Sequence, residues 1–496
     1  MKVWRKLLTI FIAISLISGS VLLPVSEELA VEASTNYANL KSGITNAMLD
    51  SRMKNATSSV TVRKASSGEI VYQYYSDRVV TPASTLKLLT GAAALETLGD
   101  NYRFSTTVLT DGEVKGGTLS GNIYLRGQGD PTLLKKNLDS FADSLVKKGV
   151  KRVTGNLVGD DTWFDTDRLS QGILAEDEPY YYAAQISGLT ISPNDDYDAG
   201  SVIAQATPTK IGRVAKVTLA PATSIVQVVN SSKTVPKGYK NTLKITRKLG
   251  TNKIIITGNS PIGTSGKKEW ISVSNPTAYT LDVFKKSLAA KGITFSKSSK
   301  VVRGKTPKNA RVLVTRNSMT LRDLIIPFMK LSNNTIAETL AKEMGKVEYG
   351  EGSWNAGLKV IGDYGSSIGL DMEKWIFEDA SGLSYESKVS SSELSKLLYL
   401  VRSEPWYVSY VRSLPVAGGS DRLVGGTLRN RLKTGTAKGN IIAKTGSLND
   451  IKSLTGYATT RDGELLIFSV LTEDAQTSTI PVIDRIATAI TNSSNK

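Results

Sequence analysis

The pattern of apolar and polar positions divides this 496-residue chain into three regions. In the first, residues 36–55 place apolar side chains at helical spacing, and residues 58–80 carry two alternating, β-branched runs around Ser66–Glu69. These patterns predict a helix followed by a β-hairpin. In the second region, about 105–308, short strands alternate with turns rich in Gly, Asn, Pro and Lys, and one helix is predicted over 135–149.

The third region, after Arg311, returns to helical spacing and ends in a predicted sheet. The two ends of the chain therefore share a mixed helix-and-sheet pattern around a middle made mostly of strands. This order indicates one α/β (α+β) domain, residues 34–104 plus 309–496, interrupted by a β-rich insertion at 105–308 that is long enough for two nested modules. The predicted helices of the third region cover 318–332, 335–345, 353–368, 390–401 and 479–492, and its predicted strands cover 440–446, 451–460 and 464–472.

The first 33 residues have the layout of a secretory signal peptide. Lys2, Arg5 and Lys6 precede an apolar run from Leu7 to Leu23, and small residues follow near Ala33. An uncleaved membrane anchor is the alternative, although the run is near the lower length limit for crossing a bilayer. We therefore predict an exported protein, extracellular and associated with the cell wall or with the outer face of the cytoplasmic membrane.

The composition removes several kinds of chemistry, because the chain contains no histidine and no cysteine. A Ser-His-Asp triad, a cysteine protease and a zinc site built from Cys or His are all excluded. We expect no metal ion and no organic cofactor. The formal net charge of +17 favours anionic surroundings, for which wall polymers or lipid headgroups are the candidates in an exported protein. Nucleic acid is not favoured, because the sequence has no basic helix and no aromatic stacking platform.

Ser84 and Lys87 are the first candidate catalytic pair. The apolar spacing after Pro82 predicts a helix that opens on Ser84 and ends before Gly99. Residues three apart share a helix face, so the lysine amine can reach the serine hydroxyl. To act as a base near pH 7, Lys87 needs its pKa lowered by about 3 units from its reference value of about 10.4. A second cation about 5 Å away would supply most of this shift, and partial burial the rest. The alternative is a helix cap followed by a surface lysine.

Ser332 and Asn334 form the second candidate group, at a break between two predicted helices. A short helix–helix turn can direct both side chains into one cleft. The alternative is that this segment only caps the helix that begins near Thr335.

Lys444, Thr445, Gly446 and Ser447 form the third group, at the end of an apolar, β-branched strand. An edge strand at this point could hold a substrate peptide through backbone hydrogen bonds. Lys444 and Thr445 would face the carboxylate of that peptide, and Gly446 would allow it to approach closely. Lys444 is also the predicted second cation beside Lys87. A second Lys-Thr-Gly begins at Lys433, but it lies in a turn-like segment, so we assign the role to Lys444.

The order Ser-x-x-Lys, Ser-x-Asn, Lys-Thr-Gly is the signature of penicillin-binding proteins and serine β-lactamases. The chain as a whole resembles the class C low-molecular-mass penicillin-binding proteins, the D-alanyl-D-alanine carboxypeptidases/endopeptidases of the penicillin-binding protein 4 or 4a type. Their transpeptidase-like domain is interrupted between the first two motifs by extra domains, as the predicted insertion is here. The resemblance is carried by PASTLKLLTGAAALETLG, GQGDPTLL, GNLVGDDTWF, SPNDDYDAG, MKLSNNTIAETLAKEMG, SLPVAGG, GGTLRNRLK and AKTGSLNDIKSLTGYA.

The resemblance implies a role for each motif residue. Ser84 would be the acylated nucleophile and Lys87 its general base, and Ser332 would relay a proton to the leaving D-alanine. Backbone N–H groups of Ser84 and Ser447 would form the oxyanion hole. The substrate would be bound by Asn334 at its amide and by Lys444 and Thr445 at its terminal carboxylate.

The implied activity is that of a serine-type D-alanyl-D-alanine carboxypeptidase that acts on peptidoglycan stem peptides through an acyl-enzyme and is inhibited covalently by β-lactam antibiotics. Cleavage of D-alanyl cross-links is a further expectation. A β-lactamase on the same scaffold and a non-catalytic wall-binding protein are the alternatives. The acidic run Glu176–Glu178, beside Tyr180–Tyr182, could contact a free amine of the stem peptide, or it could be a solvated loop.

Overall fold

A computed structural model describes residues 37–495, so the predicted signal peptide lies outside the described residues. Among residues 37–495, no helix combines the length and apolarity that crossing a bilayer requires. The α-helices of the described part are α1 (Ala38–Met48), α2 (Lys87–Leu98), α3 (Lys135–Lys147), α4 (Pro276–Ala290), α5 (Leu321–Lys330), α6 (Asn334–Tyr349), α7 (Trp354–Ser367), α8 (Ser391–Leu400), α9 (Tyr407–Ser413), α10 (Arg422–Gly425) and α11 (Ile480–Asn492).

The strands of the described residues are mostly short. They are β1 (Thr57–Lys64), β2 (Ile70–Tyr74), β3 (Val79–Val80), β4 (Ser105–Thr110), β5 (Glu113–Lys115), β6 (Thr118–Ser120), β7 (Ile123–Gly127), β8 (Arg152–Val153), β9 (Leu157–Asp160), β10 (Ser201–Thr207), β11 (Lys216–Ala220), β12 (Gln227–Asn230), β13 (Lys233–Val235), β14 (Lys244–Arg247), β15 (Lys253–Thr257), β16 (Asn259–Pro261), β17 (Lys267–Ser272), β18 (Thr294–Phe295), β19 (Val301–Arg303), β20 (Arg311–Asn317), β21 (Trp375–Ile376), β22 (Lys388–Ser390), β23 (Ile441–Ser447), β24 (Lys452–Thr459) and β25 (Leu465–Glu473).

The two ends of the chain meet in one five-stranded antiparallel sheet of order β2-β1-β25-β24-β23. Helices α1 and α11 pack on one face of this sheet, and α8 and the layer around α2 pack on the other. This confirms the predicted fold class, an antiparallel sheet flanked by helices, and it confirms the predicted hairpin of β1 and β2. β23 lies at the edge of the sheet, as the sequence predicts for a substrate-binding strand.

Helix α2 lies at the centre of the helical layer, and every residue from Lys87 to Leu95 is buried. It packs against α5, α6 and α7 in one apolar cluster. Burying each leucine of such a helix contributes about 1.5–3 kcal/mol of stabilisation. A lysine at the first position of this helix is therefore enclosed by the packing of its neighbours.

The insertion consists of two nested parts. The outer part contains two sheets, of orders β19-β9-β7-β4-β20 and β18-β8-β6-β5, together with α3 and α4. The inner part, 201–272, contains three small sheets, β11-β10-β17, β12-β15-β14 and β13-β16.

The structure differs from the predicted insertion in two respects. β20 pairs with β4, so the insertion sheet continues to Asn317 instead of ending at 308. Helix α4 is a second helix that the sequence analysis missed. Its signals are present: Asn275 accepts a hydrogen bond from the backbone N–H of Ala278, and Pro276 occupies the first turn.

Candidate active site

Ser84 lies in a 3₁₀ turn, Ala83–Leu86, that leads directly into α2. The predicted helix therefore begins as a 3₁₀ turn at Ala83, one residue before Ser84, and becomes α-helical at Lys87. The hydroxyl of Ser453 on β24 donates to the carbonyl of Pro82 (2.7 Å) and fixes the turn against the sheet. Ser84 is half-buried among buried neighbours and lines a cleft.

Lys87 is fully buried, and its Nζ lies close to three oxygen atoms. The distances are 2.8 Å to Ser84 Oγ, 2.7 Å to Asn334 Oδ1 and 2.6 Å to the carbonyl oxygen of Ser381. A neutral amine has two N–H bonds and one lone pair, so it can donate to Asn334 and Ser381 and accept from the hydroxyl of Ser84. The geometry therefore suits a base that takes the proton of Ser84.

The electrostatics of Lys87 differ from the sequence expectation. Burial lowers the pKa of Lys87 to about 7, against the opposing effect of the carboxylates of Asp379 and Glu338. The expectation that Lys444 supplies most of the shift is wrong, since burial is the largest cause. Lys444 is also fully buried, and burial followed by the charge on Lys87 lowers its pKa. The two amines thus disfavour being charged together, and a bound carboxylate beside Lys444 would leave Lys87 as the neutral one.

Asp379, to which the sequence analysis assigns no chemical role, shapes the loop behind Lys87. Its buried carboxylate accepts hydrogen bonds from the backbone N–H of Leu383 (2.6 Å) and from the hydroxyl of Ser381 (2.8 Å). These bonds fix the position of the Ser381 carbonyl, which accepts from Lys87. Asp379 therefore positions the carbonyl group that contacts Lys87.

Glu338 is a second buried carboxylate near Lys87, and the sequence analysis missed it. It accepts hydrogen bonds from the indole N–H of Trp354 (2.8 Å) and from the backbone N–H of Ala380 (3.3 Å). Burial and the nearby Asp379 raise its pKa to about 7. One signal could have found it, because Glu338 follows Asn334 by four residues and so shares its face on α6.

Ser332 lies between α5 and α6 with φ at 59°, in the left-handed region. Such a backbone costs about 1–3 kcal/mol in a residue other than glycine, and it occurs here at a candidate catalytic position. Lys444 Nζ donates to Ser332 Oγ at 2.7 Å. The residue that caps α6 is Asn333, whose side chain accepts from the backbone N–H of Ile336 (2.9 Å). Capping therefore does not account for Ser332 or Asn334.

Asn334 connects Lys87 to the insertion. Its Oδ1 accepts from Lys87, and its Nδ2 donates to the carbonyl oxygen of Tyr182 (2.9 Å). The inserted region thus contributes to the wall of the cleft as well as flanking it. A substrate amide that binds Asn334 would have to share or replace the contact with Tyr182.

Strand β23 brings the third group to the cleft. Lys444 Nζ donates to the carbonyl oxygen of Thr445 (2.7 Å), and Thr445 Oγ1 donates to Thr427 Oγ1 (2.8 Å). Gly446 has no room for a side chain, because a Cβ there would lie 2.1 Å from Ser453 Oγ and 2.6 Å from the carbonyl oxygen of Pro82. Ser447 is exposed and lines the cleft.

Lys433, the alternative Lys-Thr-Gly lysine, is exposed and lies in the segment between α10 and β23. It does not line the cleft. The structure therefore brings Ser84, Lys87, Ser332, Asn334 and the Lys444–Ser447 segment together and leaves Lys433 apart.

The cleft has a volume of about 480 Å³, and only part of the acidic run Glu176–Glu178 lines it. Glu176 and Asp177 line the cleft, whereas Glu178 is buried against the guanidinium of Arg247 (3.1 Å). The hydroxyl of Tyr182 donates to Asp177 (2.8 Å). Two of the three carboxylates of this run can therefore face a ligand. Within the described part of the chain, His, Cys, Asp and Glu side chains form no group of three or more that could hold a metal ion.

Comparison with known proteins gives one family and several relatives. The model of the D-Ala-D-Ala carboxypeptidase 3 (S13) family matches residues 40–490. A D-alanyl-D-alanine carboxypeptidase from Actinomadura sp. (strain R39) is 36% identical over 475 residues, which cover 94% of this chain and 87% of the relative. The D-alanyl-D-alanine carboxypeptidase DacB of Haemophilus influenzae is 27% identical over 466 residues, which cover 92% of each chain.

A solved structure supports the fold. The crystal structure of penicillin binding protein 4 (dacB) from Haemophilus influenzae aligns with a TM-score of 0.77 at 23% sequence identity, covering 90% of this chain and 97% of that one. A second structure of the same protein, complexed with a novel β-lactam, aligns with a TM-score of 0.70 and the same coverage.

Proposed function

Because the chain belongs to the D-Ala-D-Ala carboxypeptidase 3 (S13) family, we propose that Ser84 is the nucleophile with which it removes the terminal D-alanine from peptidoglycan stem peptides. The chain is a serine-type D-Ala-D-Ala carboxypeptidase. The assignment of Ser84 rests on one observation: its hydroxyl lies 2.8 Å from a fully buried amine, Lys87, whose pKa burial lowers to about 7.

In the first step, neutral Lys87 takes the proton of Ser84, and the serine oxygen attacks the carbonyl carbon of the penultimate D-alanine. The backbone N–H groups of Ser84 and Ser447 hold the developing oxyanion. The C–N bond then breaks, and the proton on Lys87 passes through Ser332 to the leaving amine. Water subsequently attacks the Ser84 ester, with Lys87 again taking a proton, and this releases the shortened peptide.

The terminal carboxylate of the substrate binds at Lys444 and Thr445. This contact puts a negative charge beside one of two buried amines, so it stabilises the protonated form of Lys444. Lys87 then remains the base. The carboxylate at the substrate's end therefore helps to keep Lys87 neutral, so that binding of the correct end promotes deprotonation of Ser84.

The test of the function is mass spectrometry after incubation with penicillin. The β-lactam amide replaces the D-alanyl-D-alanine bond, so we expect a long-lived adduct of one penicillin mass on the peptide that contains Ser84. Fast return of the unmodified mass would indicate a β-lactamase instead. Absence of any adduct would indicate a wall-binding protein without catalysis.

Stem peptides with a free side-chain amine should be preferred, because Glu176 and Asp177 face the cleft. Replacing both with Gln and Asn should lower kcat/KM for such a peptide by about tenfold, as expected when a charge-assisted contact is lost. The same peptide with an acetylated amine should change by less than about twofold. The control is Asp195→Asn, whose side chain is exposed and paired with Lys136. Equal losses on the two peptides would exclude amine recognition.

We also propose that the exported protein associates with anionic wall polymers or with the outer face of the membrane. The inner part of the insertion supports this, because residues 201–268 contain twelve Lys and Arg residues and no Asp or Glu. Such a field attracts polyanions and weakens with salt. Retention on anionic but not on zwitterionic surfaces, falling as salt rises, is the measurement that checks it. Equal retention on both would contradict it.

Cleavage of D-alanyl cross-links is a further proposed activity of the same site. Such a cross-link has the same acyl half as the carboxypeptidase substrate and differs in its leaving amine. Attack by Ser84 therefore gives the same kind of acyl-enzyme, and only the space beyond Ser332 and Thr445 has to accept a larger group.

A further inference from the structure

A second cavity adjoins the active-site cleft beside Ser332. Its volume is about 160 Å³, and three of its six lining residues also line the cleft. The shared residues place the two spaces side by side. The six lining residues are Tyr181, Asp196, Asp198, Trp270, Leu331 and Arg422.

The direction of β23 tells which half of a substrate faces this second cavity. In the proposed function, the leaving-group carboxylate binds at Thr445, and the scissile carbonyl lies at the backbone N–H of Ser447, two residues further along β23. The leaving group therefore points from Ser447 toward Thr445 and beyond it. Thr445 bonds Thr427, which lies just after α10, and α10 begins with Arg422. The second cavity is accordingly on the leaving-group side.

Release of free D-alanine does not need this space. D-Alanine has a methyl side chain, and its carboxylate is already bound at Lys444 and Thr445. The second cavity holds about five water volumes, at about 30 Å³ each. A leaving amino acid longer than alanine would displace this water and contact the walls.

The walls offer groups that suit a long, charged leaving amino acid. The guanidinium of Arg422 contacts the carboxylate of Asp196, and the arginine side chain is 51% exposed against 14% for the aspartate. Asp196 has another partner, since the amide of Asn194 donates to it (3.0 Å). Arg422 can therefore also contact a ligand carboxylate, while Asp196 keeps the hydrogen bond from Asn194 to its Oδ2. Tyr181 and Trp270 provide aromatic surface for an aliphatic chain.

The floor of the second cavity is tied to the catalytic loop. The side-chain amide of Asn333 donates to Asp198 (3.0 Å) and to the backbone carbonyl of Asp196 (3.0 Å). Asn333 lies between Ser332 and Asn334 in sequence. A group bound in this cavity would thus contact residues held by the same segment that transfers the proton.

We propose that this cavity is the subsite for the leaving half of a D-alanyl cross-link, in which Arg422 binds a carboxylate of the acceptor stem while Tyr181 and Trp270 contact its aliphatic side chain. The proposal rests on the proposed function, because Ser84 must form the acyl-enzyme. The bond that breaks joins the D-alanyl carbonyl carbon to the acceptor amine, which leaves with the proton relayed by Ser332.

The test compares two substrates with the same acyl half, a stem peptide that ends in D-Ala-D-Ala and a purified cross-linked dimer. Their acyl-enzymes are identical, so the second cavity acts on the acylation step, which kcat/KM reports independently of deacylation. Arg422→Gln should lower kcat/KM for the dimer about tenfold, as for loss of a charge-assisted contact, and should change D-alanine release by less than about twofold. The matched control is Arg429→Gln, an exposed arginine near α10 that does not line the cavity.

A second measurement follows transfer of the acyl group to an acceptor stem, which is the reverse of cross-link cleavage. The acyl-enzyme formed from D-Ala-D-Ala peptide should partition between water and an added acceptor stem, and Arg422→Gln should reduce the transfer product relative to hydrolysis. Equal effects of Arg422→Gln on both substrates, an unchanged rate with the dimer, or a wild-type enzyme that releases D-alanine but leaves the dimer intact would overturn the proposal. Failure of the proposed function would look different, because the wild type would then neither release D-alanine nor form a penicillin adduct.

Discussion

Lys87→Met is expected to reduce the second-order rate constant for acylation of Ser84 by penicillin by about 10³-fold, within the 10²–10⁴-fold range of general-base catalysis. Methionine keeps the volume of the buried side chain and removes the only amine within hydrogen-bond reach of Ser84 Oγ among the described contacts. The serine would then have to lose its proton without a partner. Stopped-flow or gel measurement of adduct formation gives the rate constant.

The pH profile separates loss of the base from loss of structure. In the wild type, only neutral Lys87 can accept a proton, so the acylation rate should rise with pH through about 7, the value to which burial lowers the pKa of Lys87, and then level off. Lys87→Met should lose this rise and show a low, flat profile in that range. A wild-type rate that rises only near the ordinary lysine pKa would contradict the assignment.

Lys342→Met is the matched control, because Lys342 is equally buried but bonds Asp165 and contacts the ring of Trp354 outside the cleft. It should keep acylation within about threefold if it removes no group that transfers a proton. A loss as large as that of Lys87→Met would mean that removing any buried lysine disables the enzyme. The role of Lys87 as base would then be unsupported.

The sequence predicts those parts of this site that depend on the spacing of nearby residues along the chain. Ser84 and Lys87 are three residues apart, so helical geometry relates them, and Ser332 and Asn334 are two apart at the break between two predicted helices. The apolar residues of α2 indicate burial, and burial is what lowers the pKa of Lys87. The strand pattern at the end of the chain predicts β23, whereas its place at the sheet edge depends on the pairing of β25 with β1.

The remaining features depend on contacts between distant segments. The Ser381 carbonyl that accepts from Lys87 lies 294 residues away in sequence, and the Tyr182 carbonyl that holds Asn334 comes from the insertion. No spacing rule relates such pairs. The same applies to β20, whose strand pattern gives no sign that it pairs with β4 and not with the catalytic sheet.

The cause of the lowered pKa of Lys87 depends on the fold. From sequence, the charge of a second lysine is easier to foresee than complete exclusion of water, so the sequence predicts that Lys444 makes the larger contribution. In the structure both amines are fully buried, and Asp379 and Glu338 act in the opposite direction. Under the proposed function, Lys444 therefore acts mainly by binding the substrate carboxylate and through Ser332, to which its amine donates.

Lys444→Ala is expected to lower the rate constant for acylation by penicillin by about 10³-fold, in the range seen when a group that stabilises or relays charge in the transition state is removed. Two functions disappear together. The carboxylate of the ligand loses its buried cation, and Ser332 Oγ loses the amine that lies 2.7 Å away. The measurement is the rate of adduct formation on Ser84 at several penicillin concentrations, which separates weaker binding from slower chemistry.

Lys433→Ala provides the internal control, because the same three-residue sequence recurs there on an exposed segment that does not line the cleft. Its acylation rate should stay within about twofold of the wild type, as for a surface substitution. The comparison is sharp because both variants remove a lysine that precedes Thr-Gly, and only the position relative to β23 differs. If Lys433→Ala loses the adduct and Lys444→Ala keeps it, the strand that binds the carboxylate has been assigned wrongly, and with it the direction of the substrate across the cleft.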